Sequence, residues 1–386
     1  MFKNYFKTAF RSLIRNRNYA IINIAGLAVG IAVCMMIFII IQFHTSFDNF
    51  HSNKDRVYRV LTEYHHEDAA NIAYGKDVPF PMPTGLKTAF PQIEQVAPIF
   101  ASHDDKLLIP DDNGTTMKQF KEDKGVFFTE PSFFKMFDLP LLAGSYASLK
   151  EPNNVLLTKE IAEKYFGDWR TAIGKTIKLE AGGYIFEHGT DILKVSGILA
   201  TIPANTDFQL KLVVAYGTGS TGSIMAKNTD WEDRTNSGFG CYILMPPNIS
   251  VDNFNQQLRS YSRKVESPDD KDSHIIQPLS AVHYDIQVGD YSNKTISREL
   301  LNVLWLIAAF ILLIACVNFI NLSTAQAVNR AKEVGVRKVL GSNKIQLQIQ
   351  FIIETFLIVT SAVMLATVIT ILKKYYSYKT IDYKQA

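Results

Sequence analysis

Few residues in this chain are spaced for chemistry, and each candidate fails on geometry. His65-His66-Glu67-Asp68 gathers metal-ligating types, but neighbours on a strand point to opposite faces and neighbours on a helix do not converge. No HxxxH pair supports them, so the reading is a solvated polar loop. Asp111-Asp112-Asn113-Gly114 lacks the alternate-position acids and closing glutamate of a calcium loop, and reads as a turn. Gly217-Thr218-Gly219 has no GxxG continuation and no helix start behind it, so 217–222 reads as a flexible loop, not a phosphate cradle. No GxxxxGK[ST], GxSxG or HExxH occurs in the 386 residues, and the eight histidines are scattered. Hydrolytic and nucleotide-binding chemistry therefore have no motif in this sequence. Cys34, Cys241 and Cys316 form no CxxC, which leaves zinc and thioredoxin-like readings without support. A net charge of +3 over 386 residues carries no nucleic-acid signal.

The run that stands out is 330–354. It carries Arg330, Lys332, Arg337, Lys338 and Lys344 against one early acid, Glu333. Ala327, Ala331, Val334 and Val339 give it a narrow apolar stripe, with Gly335 and Gly341 as the expected bends or caps. The charge alone fits an ordinary positive-inside loop; an amphipathic helix over several turns is what docking of a cytoplasmic partner would add, and the residues by themselves leave both readings open.

The elements around it are membrane spans. Residues 24–41 hold no charge and no amide, 303–317 are wholly apolar, and 355–372 are uncharged. About 20 residues cross a ~30 Å hydrocarbon core at helical rise, so three transmembrane helices are predicted. The first is too long for a signal-peptide core, and no small-x-small site follows it. Lys3, Lys7, Arg11, Arg15 and Arg17 precede the first span, and the 330–344 cluster follows the second. Both flanks belong in the cytoplasm, with the long segment between them outside. Lys373, Lys374, Lys379 and Lys384 follow the third span on the side this topology places outside. A fourth span returning the chain to the cytoplasm is therefore expected. Glu354 is expected at the cytoplasmic interface, within reach of the basic linker.

Phe2, Tyr5, Phe6, Ala9, Phe10, Leu13 and Ile14 recur at helical spacing, with Lys3, Lys7 and Arg11 off the stripe. This predicts an amphipathic helix over 1–18 in the lipid headgroup plane, with Phe2, Phe6, Phe10, Arg11 and Arg15 at the membrane interface. The first span is placed at 19–43, a soluble domain at 44–298, and the second span at 299–321. A cytoplasmic linker helix follows at 322–350, the third span at 351–372, and a tail at 373–386. Within 44–298, strands are predicted at 57–64, 155–157, 175–179, 192–199, 241–245 and 274–278. Helices are predicted at 83–90, at 159–166 with Thr158 as cap and Gly167 as stop, and at 251–265. The fold class is α/β or α+β in two lobes, inserted between transmembrane helices.

The run NRAKEVGVRKVLGSNKIQLQIQFIIE, with the spans flanking it, resembles the membrane domain of the FtsX/MacB family of ABC-transporter permeases. The N-terminal YFKTAFRSLIRNRNYAIINIAGLAVGIA resembles that family's first helices. SFDNFHSNKDRVYRV (46–60), FFTEPSFFKMFDLPLLAG (127–144) and NNVLLTKEIAEKYFGDWRTAIGKTI (153–177) resemble a MacB-like periplasmic core. The resemblance implies one lobe from 44–115 and 225–298, with the other inserted. It implies that Arg330, Glu333, Val334, Gly335, Arg337, Lys338 and Gly341 face a separate MacB/LolD-like ATPase, which binds the ATP; no cofactor is implied on this chain. It also implies a non-enzymatic permease subunit in the inner membrane, acting with a second permease copy or half, membrane lipid, a periplasmic adaptor and an outer-membrane channel, and no nucleic acid. Efflux or export is the first functional reading. The alternatives are an FtsX-like regulator of a cell-wall hydrolase and a membrane sensor. Relatives end in a fourth span, so the chain is expected to be the N-terminal unit of a longer protein.

Overall fold

In a computed structural model the chain divides into two compact units, Met1–Thr45 with Arg298–Ala386, and Ser46–Ser297. The structure describes residues 2–65, 72–110, 117–180, 190–219, 231, 238–266, 271–339 and 344–385. Side chains are described for these except at 2–5, 329, 332, 333, 337, 338, 344 and 374–385. Residues 66–68, 111–114 and 220–222, expected in polar loops and turns, lie outside the described residues. The chain opens with α1 (Phe2–Arg15) and α2 (Arg17–Thr45).

The second unit is a mixed α/β domain on one sheet. In chain order its elements are β1 (Val57–Tyr64), β2 (Ala73–Gly75), α3 (Met82–Ala89), β3 (Gln95–Ser102), β4 (Asp105–Pro110), β5 (Met117–Glu122) and β6 (Val126–Thr129). There follow α4 (Phe133–Met136), β7 (Leu141–Gly144), β8 (Asn154–Thr158), α5 (Lys159–Phe166), β9 (Thr176–Glu180), β10 (Thr190–Leu199) and β11 (Leu212–Ala215). The unit ends with β12 (Phe239–Leu244), α6 (Val251–Val265), β13 (Ser273–Pro278) and α7 (Leu279–Val282). Strand order is β13-β1-β12-β3-β6-β11-β8-β10-β9-β4-β5, with β2 also on β1 and β7 also on β10. The pairs β8–β10 and β6–β11 are parallel; the other described pairs are antiparallel.

Alternation along the strands explains how this sheet is covered. On one face, Tyr58, Val60, Cys241 and Ile243 pack with Met82 and Leu86 of α3 and Phe254 and Leu258 of α6. On the same face, Val155, Leu157, Leu212 and Val214 pack with Ile161, Ala162 and Tyr165 of α5. These two clusters occupy opposite ends of a continuous sheet joined where β3 meets β6, but they do not follow the expected lobe boundaries, since Leu107 and Ile109 of β4 pack in the α5 cluster. On the other face, Val57, Ile99, Phe127, Leu156, Val213 and Tyr242 share a single cluster with α4, α7 and Phe208. Two carboxylates tie helices to the sheet. Glu63 on β1 accepts from Arg259 Nε at 2.7 Å and Nη2 at 2.8 Å, and from Ser273 Oγ at 2.7 Å. Glu122 on β5 accepts from Lys164 Nζ at 2.9 Å, Tyr165 Oη at 2.9 Å and Lys211 Nζ at 2.5 Å.

Helix α6 matches its predicted bounds, with Ser250 Oγ accepting from the Asn253 N–H. Thr158, expected as a side-chain cap, makes no capping hydrogen bond; α5 is stopped instead by Gly167 at φ +82°, whose N–H returns to Glu163 O. Gly144 is required for another reason. A Cβ there would lie 2.2 Å from Ser196 O, across the close β7–β10 approach.

The helical unit is completed by α8 (Arg298–Asn329), α9 (Ala331–Val339) and α10 (Lys344–Gln385). Among the described residues, three stretches are long and apolar enough to span a membrane: Arg17–Thr45, Arg298–Val328 and Ile345–Lys373. The linker expected as one helix over 322–350 is divided. Residues 298–334 contain no Gly or Pro, so α8 runs past the expected span end to Asn329, and a turn at Arg330 separates it from α9. The expected tail 373–386 is also helical as far as Gln385, because it too lacks a breaking Gly or Pro. Gly335, expected at a bend, lies within α9.

Candidate functional site

The corner where α8, α9 and α10 meet is organised by one buried ion pair. Arg330 Nη1 donates to Glu354 Oε2 at 2.7 Å, and the two side chains are only 11% and 8% exposed. Glu354 lies more than two helical turns into α10, so the bond ties the turn before α9 to the body of α10. Arg330 Nε and Nη2 have no acceptor among the described residues, which makes Glu354 its principal counter-charge. The sequence placed Glu354 within reach of the basic linker but did not single out Arg330 as its partner.

Helix α9 presents apolar side chains outward. Val336 is 60% and Val339 89% exposed, whereas Val334 is half-buried. The expected stripe is thus divided, with Val334 inward and Val339 in solvent. A Cβ on Gly335 would meet nothing within 4 Å. Glu333, Arg337 and Lys338 are on α9, though their side chains fall outside the described residues, as does Gly341 altogether. The corner therefore joins Arg330 to Val334 and brings Glu354 to them.

Helix α1 packs along α10. Ala9 is fully buried, while Phe6, Phe10 and Ile14 are 52%, 53% and 61% exposed. Their i, i+4, i+8 spacing sets them on one stripe, with Arg11 and Arg15 also exposed. The Phe2 side chain lies outside the described residues. Such a stripe, charged on its flanks, suits the lipid headgroup boundary.

Helix α2 is the element against which the other spans are set. Against α8 it places Tyr19 Oη on Ser323 Oγ at 2.9 Å, Cys34 Sγ on Ala308 O at 3.2 Å, and the Phe38 ring 6.1 Å from that of Trp305. At the centre a Cβ on Gly30 would sit 2.6 Å from Ala315 Cβ. Without a hydrophobic drive between helices in lipid, such close small-residue contacts hold spans together. Against α10, Leu27 and Ala28 pack with Ala362 and Val359. None of these pairs is marked in the sequence; a glycine opposite an alanine 285 positions later gives no local signal.

Residues 20–261 match the family of MacB-like periplasmic core domains, and residues 305–383 match the FtsX-like permease C-terminal family. No curated protein matches. Two of the solved structures similar to this chain are these. One is a domain described as that of a permease from Porphyromonas gingivalis, with 17% identity and a TM-score of 0.45 over 59% of this chain and 92% of that one. The other is the periplasmic region of MacB from Actinobacillus actinomycetemcomitans, with 14% identity and a TM-score of 0.39 over 59% of this chain and 91% of that one. With the MacB-like match covering more than half of its residues and the FtsX-like match falling on α8 to α10, the chain belongs to the MacB/FtsX family of permeases.

Proposed function

We propose that this chain is the membrane subunit of an ATP-driven complex in which a separate ATPase docks on α9 and moves the spans, and the spans move the α/β domain for efflux or export. The observation that carries this reading is the α9 corner: a short helix between two spans, apolar on its outer side and rich in basic residues, fixed to α10 by Arg330 and Glu354. The 386 residues carry no P-loop, so the nucleotide is assigned to the partner. Family membership supports association with an ABC-type ATPase. The inner membrane is the assigned location, with α1 and α9 on the cytoplasmic side, following the positive-inside distribution of Lys and Arg. A second permease copy or half completes the assembly, with a periplasmic adaptor and outer-membrane channel as further partners. Export is favoured over regulation of a cell-wall hydrolase by the large outer domain, whose broad sheet offers more surface than a single docking module needs.

The test is co-purification with P-loop ATPases encoded in adjoining reading frames, repeated with Arg337→Glu and Lys338→Glu together. Loss of the ATPase on charge reversal is the expected result. Retention at wild-type level would remove α9 from the docking site.

A further inference from the structure

The chain enters the α/β unit at Ser46 and leaves it at Ser297. The segments beside these points, 46–52 and 283–296, are each bonded to a third, the turn at 204–207 between β10 and β11. Ala204 O accepts from Lys294 Nζ at 3.2 Å. Asn205 O accepts from the Asp48 N–H at 2.9 Å, and Asn205 Nδ2 donates to Ser46 O at 3.0 Å and Ser46 Oγ at 3.1 Å. Thr206 Oγ1 donates to Asp48 Oδ1. The Asp207 N–H donates to Asp48 Oδ2 at 3.0 Å, while Asp207 Oδ1 accepts from the Tyr291 N–H at 2.5 Å and the Ser292 N–H at 3.0 Å. Four successive residues thus hold the incoming segment, the outgoing segment, or both.

The surroundings make these bonds hard to replace. Asp48, Asp207 and Asp290 are 5%, 1% and 1% exposed. His51 Nδ1 accepts from the Asp138 N–H at 2.9 Å, which leaves the ring proton on Nε2, directed at Asp48 Oδ1 at 3.3 Å. The rings of Phe47 and His283 stack at 3.6 Å, a direct contact between incoming and outgoing segments. Burial, and then the charges of Asp290 and Asp48, push Asp207 up to about 7. A carboxylate carrying that penalty still answers two backbone N–H groups and the Tyr242 hydroxyl, which an apolar residue would leave unpaired. Directly after the turn, Phe208 is fully buried among Phe133, Phe137 and Tyr242. The chain then enters β11, which lies between β6 and β8 near the middle of the sheet.

We propose that residues 204–207 are a cross-brace that locks the incoming and outgoing segments together and hands their displacement to β11. Asn205, Thr206 and Asp207 are positioning residues in this scheme, whose role in transmission rests on the function proposed above. Movement of either segment reaches the other through the turn, and reaches the centre of the sheet through Phe208.

Hydrogen exchange on the full chain in detergent tests this. Asn205→Ala cuts side-chain bonds to the incoming segment. Thr206→Val cuts the bond to Asp48 and also the one its hydroxyl accepts from the Phe208 N–H at 3.3 Å. Lys294→Met cuts the bond from the outgoing segment to Ala204 O. Cross-bracing requires the first two to speed exchange at Tyr291 and Ser292, and the third to speed it at Asp48, each by about threefold or more, with β1 and β8 unchanged. Loosening confined to each variant's own bonding partners would overturn the proposal, as would equal loosening throughout the sheet. Should Thr206→Val fail to fold, Asn205→Ala and Lys294→Met, at partly exposed positions, decide the matter. Either overturning result refutes the brace whether or not an ATPase binds α9. Cross-loosening without any ATPase binding would instead leave the brace standing and remove its role in transport.

Discussion

Removing either partner of the Arg330–Glu354 pair should be costly, while removing both should not. With exposures of 11% and 8%, neither charge is rescued by water, and Arg330 Nε and Nη2 have no other acceptor among the described residues. Glu354→Leu strands the guanidinium, and stranding one partner of a buried pair costs about 3–5 kcal/mol. Glu354→Gln keeps an amide oxygen for Arg330 Nη1 but loses the charge, so its cost falls lower, about 2 kcal/mol. The double variant Arg330→Met with Glu354→Leu leaves no unpaired group. It should return to within about 1 kcal/mol of wild type, since apolar replacement of a buried pair is commonly neutral or better. Equilibrium unfolding of the purified full chain in mixed detergent micelles, run as a double-mutant cycle, reads all four states. The reasoning is refuted if Glu354→Leu costs less than about 1 kcal/mol, or if the double variant is as unstable as the sum of the singles. The double variant separates stability from placement as well: stable but without the tie between α9 and α10, it should bind the ATPase more weakly than wild type.

Two further outcomes follow from other contacts. Gly30→Leu forces α2 and α8 apart, because even a Cβ would lie 2.6 Å from Ala315 Cβ where carbon contacts are ordinarily about 3.5–4 Å. The expected cost is about 1–3 kcal/mol, with slower disulfide formation between Cys34 and a cysteine introduced by Ala308→Cys; an unchanged rate would sink the idea. Stability of the full chain should rise as pH falls from 8 towards 5. Asp207, raised to about 7, faces the like charges of Asp48 and Asp290, the cations Arg59 and Lys76, and the hydroxyls of Tyr242 and Tyr291, both pushed well up by burial. Its folded state therefore holds a proton that the unfolded chain releases, so its penalty is relieved below pH 7. Glu63 and Glu122 act in the opposite sense and at lower pH. Burial raises each, but hydrogen bonds from Arg259 and Ser273, and from Lys211 and Lys164, outweigh it, so the stability they add is lost only below the ordinary carboxylate range. Melting midpoints from pH 8 to 5 should climb in wild type and flatten in Asp207→Asn; equal slopes would contradict the assignment.

What was legible in the sequence tracks locality. The three spans are visible because composition alone determines them, and α6 because Ser250, Asp252 and the Phe254–Leu258 stripe are all local signals. Strands β3 to β7 were not assigned, since β5 reads MKQFKE and β7 is four residues long; these are defined by their partners, not their own periodicity. The two-lobe expectation put β4 with the membrane-proximal segments, whereas it pairs with β9 at the far end of the sheet; that pairing, like the one between β3 and β6, is a tertiary fact with no local signal. The α9 site was legible as a charge cluster between spans. The bond that fixes it was not, because Arg330 and Glu354 look like unrelated members of a basic linker until α10 folds back. Asn205, Thr206 and Asp207 read as ordinary loop residues, and only the two segments they hold give them a role.

Docking of an ATPase at α9 is tested most directly by its binding to the full chain with and without Arg337→Glu and Lys338→Glu. Reversing two charges at a docking surface is expected to cost about 2 kcal/mol or more, roughly thirtyfold in affinity, while the melting midpoint stays at the wild-type value. The same reversal at Lys118 and Lys121, on edge strand β5 of the α/β unit, should leave binding intact. Undiminished binding by the α9 variant, or equal loss from the β5 control, would contradict the account.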